Sequence, residues 1–229
     1  MTLYKITRAD GSPCHGGRGR WDLPTAEAPG NWRTEKGPLQ LCSAGTLHLC
    51  RVEDFLAWAK VDAVVWEAET AGETRLGTDK VGALRARLVR KVGVLTHRLL
   101  VEWACDCADR GLSQINYPRS TEAIEVTRKW LAGTATIEEV RTATDAARPS
   151  AKVADTADAR ASISPYYTRV SPYYAIRAAF SAARAADHAY FATGAAYFVV
   201  DAIPDLLRLK ERKWQWERLL QLLSRQEQP

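Results

Sequence analysis

The stretch THRLLVEWACDCADRG, residues 96–111, decides the fold class. Its apolar residues recur at helical spacing: Leu100, Trp103, Ala104 and Cys107 share one face, while Arg98, Glu102, Cys105 and Asp109 share the face turned to water. Gly111 supplies a stop, because glycine accepts the left-handed conformation in which helices end. The pattern continues downstream. Ser120 is placed to cap a second helix whose stripe is Ile124, Thr127 and Leu131, closing at Gly133. Thr136 and Glu139 then form a capping box, in which hydroxyl and carboxylate satisfy each other's exposed backbone donors at a helix start. Three helices in succession are predicted, the core of an alanine-rich all-α domain over 93–229 with five to seven helices.

Further along, Ser164-Pro-Tyr-Tyr recurs as Ser171-Pro-Tyr-Tyr, Phe180 continues the spacing, and Ala189-Tyr-Phe is echoed by Ala196-Tyr-Phe. A seven-residue recurrence sets bulky groups on one helical face opposite alanines that allow close approach, so a packed helical layer is the reading. The last segment, Asp205 to Ser224, spaces Leu206, Leu209, Trp216, Leu220 and Leu223 as a coiled coil would, for docking on its own domain or on a partner.

Upstream the texture changes. Glycine and proline crowd residues 11–38 and punctuate turns, so long elements are precluded there. Leu3 to Thr7 alternates weakly and can open a sheet. Ala63 to Thr70 reads as a half-buried strand, with Val64, Trp66 and Ala68 on the apolar face and Val65, Glu67 and Glu69 on the other. Val52 to Lys60 has near-helical spacing behind acidic Glu53 and Asp54, and Ala83 to Val92 alternates as a strand. The overall expectation is an α+β chain, a small β-containing module over 1–92 followed by the helical domain, with the boundary near Gly93.

Composition bounds the function. The net charge of +5 comes from 32 basic and 27 acidic residues spread along the chain rather than gathered in a stripe, which is weak support for a nucleic-acid surface. The start, MTLYKITRAD, lacks the basic-then-apolar pattern of a secretion signal. Ala189 to Ile203 is short and holds Asp201, so it reads as a buried helix and no membrane span is expected. Five cysteines, an odd number in a chain too long to need staples, favour free thiols and a cytoplasmic, reducing location.

Two clusters bear on chemistry. Cys42-x-x-Gly45-x-x-His48-x-Cys50, with Cys14 and His15 upstream, could offer two thiolates, an imidazole and a fourth ligand to zinc. The spacing from Cys42 to Cys50 is wider than a zinc knuckle, and buried thiols in a tight turn with His48 hydrogen-bonded is the default. Cys105 and Cys107 point about 200° apart on a helix and make a poor pair. Glu67 and Glu69 share a strand face, as paired carboxylates must for acid/base work, with His48 as a further candidate. Serine nucleophile elbows, phosphate-cradling glycine loops and H-E-x-x-H helices are absent from the sequence. The chain therefore reads as non-enzymatic and without a cofactor.

Three resemblances follow from these motifs. C-x-x-G-x-x-H-x-C at Cys42–Cys50, the W-E-x-E-x-x-G strand from Trp66 to Gly72, Asp79-Lys80, Ala86-Arg87-Leu88 and an opening Tyr4-Lys5 strand resemble a family of uncharacterised phage and bacterial proteins. Trp103-Ala-Cys-Asp-Cys-Ala-Asp-Arg, Pro118-Arg, Ala123-Ile, Arg128-Lys-Trp130-Leu-Ala-Gly133 and Val140-Arg-Thr-Ala resemble the helical immunity proteins associated with bacterial polymorphic toxins. That likeness implies an accessory or immunity-type factor of a phage or its host, acting by contact with a protein partner. The E-x-E of Glu67 and Glu69 also resembles that of mono-ADP-ribosyltransferases, which implies a nucleotide-directed enzyme as the alternative. A nucleic-acid binder is the third reading.

Overall fold

The computed structural model describes residues 2–112, 117–148, 172–188, 191–192, 195 and 205–227. Two compact units divide the chain: Met1–Thr96 together with Leu219–Pro229, and His97–Arg218. Strands occupy the first and helices the second, so the chain is α+β.

In the first unit, β1 (Leu3–Thr7), β4 (Val64–Thr70), β7 (Arg85–Val94) and β2 (Arg33–Thr34) form an antiparallel sheet in the order β1-β4-β7-β2. A second sheet runs β3-β6-β5 from Leu47–Leu49, Val81–Ala83 and Thr74–Leu76. Tyr4 and Cys50 exchange both backbone hydrogen bonds at 2.9 Å, which joins β1 to the end of β3 and makes one curled run of strands. The alternation of β4 has the expected effect. Val64, Trp66 and Ala68 meet Leu3, Leu47, Leu49, Val81 and Leu88 in the core, and the Trp66 indole donates to the buried Thr7 hydroxyl at 2.8 Å. Val65 departs from its polar face-mates: it is fully buried, and register shifts at Val65/Trp66 and Glu67/Ala68 break the strict alternation. The helical spacing after Arg51 yields only a 3-10 turn, Val52–Ala57, clamped by Arg51 bound through two nitrogens to Asp54 at 2.6 and 2.9 Å. Asp62, at φ +61°, then turns the chain into β4.

The C-terminal residues complete this unit. The Gln226 amide bonds both backbone groups of Val94 at 3.1 Å, doing what a neighbouring strand would do at that point. Beside it a Cβ on Gly93 would stand 2.8 Å from Leu223 Cδ2 and 3.1 Å from Leu223 Cβ, closer than real contacts allow. Gly93→Ala is therefore expected to destabilise the protein by about 1–3 kcal/mol through overpacking. Urea unfolding reads this as a lower midpoint, and an unchanged midpoint would mean Leu223 does not pack there.

In the second unit, α2 (Pro118–Leu131), α4 (Pro172–Ala185) and the first part of α5 (Asp205–Ser224) pack against α1 (His97–Leu112), and α3 (residues 137–148) packs against α2 and α4. Alanine lets them approach closely: Ala123, Ala147 and Ala183 meet where α2, α3 and α4 cross, with Ala143 beside them. The Thr136–Glu139 capping box forms as expected, the Thr136 N–H donating to Glu139 at 2.7 Å and the Glu139 N–H to the Thr136 hydroxyl at 3.2 Å.

Several details differ from the sequence reading. Cys105 is fully buried rather than wet, because α1 has helices against more than one face. Gly111 lies buried inside α1, which runs on to Leu112. Ser120 does not cap α2. The helix starts two residues earlier with Pro118 in its first turn, where the missing N–H costs nothing, and Ser120 is buried within it. On α5 the buried positions are Glu211, Gln215, Trp216, Leu219, Leu222 and Leu223, so Trp216 and Leu223 are buried as expected and Leu219 takes the place of Leu220, which is half-buried. Most of the tyrosine and Ala-Tyr-Phe repeats, and the side chains of Leu206 and Leu209, lie outside the described residues. Among the described residues no helix is long and apolar enough to cross a membrane.

Candidate functional site

The cysteine and histidine motif converges on a cleft of the first unit. Its volume is about 340 Å³, and Cys14, Cys42, His48 and Cys50 all line it, along with Lys5, His15, Trp58 and Lys80. The local folding explains the convergence. β1 carries Lys5, the turn after it brings Cys14 and His15, a tight turn with Cys42 at φ +62° precedes β3, and β3 carries His48 into Cys50.

The four zinc candidates are engaged otherwise. The Cys14 thiol donates to Ile6 O at 3.5 Å and the Cys50 thiol to Tyr4 O at 3.4 Å. Burial pushes the Cys50 thiol up to about 12 and raises Cys14 as well, so both stay protonated at neutral pH. His48 Nε2 accepts the Cys42 N–H at 3.1 Å, which leaves the ring proton on Nδ1, and burial, then Lys5, holds its pKa below the usual imidazole range. Cys42 is the exposed thiol of the set, and Lys80 Nζ lies 3.6 Å from its sulfur. Among the described residues no group of three or more His, Cys, Asp or Glu side chains has the geometry to hold a metal ion.

Lys5 was not among the sequence candidates, since a lysine at mid-strand reads as solvent-facing. Its ammonium donates to His48 O at 2.8 Å and lies 5.3 Å from the centre of the Trp21 ring. Burial pulls its pKa down to about 8, the Cys50 and Cys14 sulfurs opposing this only in part. A lowered lysine costs stability while it is charged, and that cost is relieved as pH rises from the folded value toward the unfolded one. Relative to Lys5→Met, the wild-type protein is expected to gain about 1 kcal/mol between pH 8 and 9. The raised thiols pull both proteins down together over that range and cancel in the difference. Unfolding at a series of pH values measures it, and a difference flat from pH 7 to 10 would contradict the burial of the ammonium.

Glu67 and Glu69 do not reach this cleft. Each projects from β4 toward a cross-strand arginine of β7, Glu67 pairing with Arg90 at 2.5 Å and Glu69 with Arg87. Arg87 and Arg85 also stack on the Trp32 ring, 4.6 and 4.7 Å from its centre. The two carboxylates and His48 thus sit in different places on the unit.

The described residues of the helical unit present a charged surface. Arg119, Glu122, Glu125 and Lys129 stand exposed on α2, and Glu138, Glu139, Arg141, Asp145 and Arg148 on α3, so both signs alternate along these faces. Among the described residues the exposed large apolar side chains are Leu23, Val61 and Leu76, which all belong to the other unit. Beneath the surface an ion network holds the helices together. Asp106 of α1 accepts from Arg128 of α2 at 2.8 Å and from Arg218 of α5 at 2.6 Å, while Arg128 also pairs with Asp109. Burial opposes the charge on Arg128, but its bonds to Asp109 and Asp106 hold it above the ordinary arginine range.

The chain thus joins a small β unit to a helical unit whose α2 and α3 expose charged residues of both signs. The chain belongs to the Imm-5 like putative immunity protein family, whose model matches residues 90–222, more than half of its length. The match takes in the whole helical unit, the end of β7 and the first four residues of the C-terminal return to the first unit. Neither the curated proteins nor the solved structures compared with the chain gave a match.

Proposed function

We propose that the chain neutralises a bacterial toxin by binding it directly, in a bacterium or in a phage that infects one. The observation that carries this reading is the family match over residues 90–222, since an immunity protein must recognise its toxin. The surface of the helical unit supports a particular manner of recognition. The exposed charges of both signs on α2 and α3 favour recognition by pairing with complementary charges on the toxin, which sets partner choice more than total affinity.

The test is co-expression. Each toxin domain encoded in the same locus is induced in a bacterial host with and without this chain, and growth restored against one of them supports the reading. Growth restored against none overturns it. The manner of recognition is tested separately: raising salt should weaken the complex by screening the paired charges, and an affinity unchanged by salt would contradict it.

A further inference from the structure

The cleft of the first unit has chemistry that the immunity reading leaves unused. Two ammonium groups, Lys5 and Lys80, line it together with His48, and no carboxylate is among its lining residues. Lys80 is held toward it from below. Its Nζ stands 5.0 Å over the centre of the Trp58 ring, and the Trp58 indole is itself fixed by donating to Asp79 O at 2.6 Å. The Asp79 carboxylate lies 3.4 Å from Lys80 Nζ and offsets part of its charge, yet Asp79 does not line the cleft.

The thiols add no negative charge, since Cys14 and Cys50 remain protonated and donate to backbone carbonyls. One of the three Lys5 protons goes to His48 O, and the His48 ring keeps a donor at Nδ1. Gly16 and Gly17, both at positive φ, form another part of the wall, and a Cβ on Gly16 would meet nothing within 4 Å. The result is a concave site with convergent donors and room beyond a bare ion, near the small end of ligand pockets.

We propose that this cleft binds a small phosphate monoester of sugar size, its phosphate between Lys5 and Lys80 and its body along the Gly16–Gly17 turn. A doubly charged phosphate is favoured over a single carboxylate because two lysines and no carboxylate line the cleft, and charge-assisted hydrogen bonds are the strong ones. This does not depend on toxin binding and can fail without affecting it.

The experiment is amide NMR titration of the full-length protein with ribose 5-phosphate, inorganic phosphate, acetate and ribose at constant ionic strength. Ribose 5-phosphate is expected to shift the amides of Gly16, Gly17, Cys42 and His48 in a saturable way. Inorganic phosphate should do so more weakly, acetate more weakly again, and ribose not at all. Lys80→Gln, at the rim, is expected to weaken binding about tenfold while leaving the remaining spectrum intact, and Lys5→Met to weaken it at least as much. Equal shifts with every solute, shifts away from the cleft, or unchanged affinity in Lys80→Gln would overturn the proposal.

Discussion

Trp103→Ala is expected to lower the unfolding free energy by about 3–5 kcal/mol. Trp103 lies at the middle of α1 with no exposed surface, and its indole N–H donates to Gln215 O on α5 at 2.8 Å. Truncation removes the largest fully buried side chain among the described residues together with its hydrogen bond to α5, so the cavity and the lost bond add. Against a total stability of about 5–15 kcal/mol, this brings the folded state close to its limit. Trp103→Phe keeps most of the volume and loses the hydrogen bond, so about half the effect or less is expected. Thermal unfolding followed by far-ultraviolet circular dichroism ranks the two variants. Equal loss in both would assign the effect to the hydrogen bond rather than to packing.

The second large effect is at Asp106. Both of its oxygens are taken, one by Arg128 and one by Arg218, and its side chain is 13% exposed. Asp106→Ala takes the nearest carboxylate from Arg218, which keeps Glu102 at 3.9 Å, and one of two from Arg128, and removing one partner of a buried charge set costs about 3–5 kcal/mol when the remainder is fully buried. Arg128 is 37% exposed and retains Asp109, which reduces the expected loss to about 2–3 kcal/mol. A double-mutant cycle with Arg218→Met should return a coupling of about 1–3 kcal/mol. A coupling near zero would mean that water screens the pair and that α1 and α5 are held by their other contacts, the Trp103–Gln215 hydrogen bond and the Arg110–Glu211 pair among them.

These two residues also mark how far the sequence could be read. Trp103 stands out because a long amphipathic segment repeats its period over several turns, and the Thr136–Glu139 cap is a local motif needing no tertiary context. The same holds for Leu3–Thr7 and for Val64–Thr70, where alternation is long enough to register. It fails for Arg33–Thr34, Leu47–Leu49, Thr74–Leu76 and Val81–Ala83, strands of two or three residues that hold no full period.

Cys105 was misplaced because helical periodicity marks one buried face, and α1 is covered on more than one. The cysteine and histidine cluster was visible as a spacing, but its geometry depends on turns from distant segments. Lys5 was invisible for the same reason: only the approach of β3 and Trp21 turns a mid-strand lysine into a half-buried donor. The ion network around Asp106 joins residues as much as 112 apart in sequence, beyond the reach of any local pattern.

The most direct test of the account is isothermal titration calorimetry of the full-length protein against the purified toxin domain that it protects against in co-expression. A one-to-one complex with a dissociation constant on the order of 10 nM, within the range of specific protein pairs of ordinary interface size, is the predicted result. Protection of growth with no measurable binding would contradict it, since neutralisation would then act by some route other than contact.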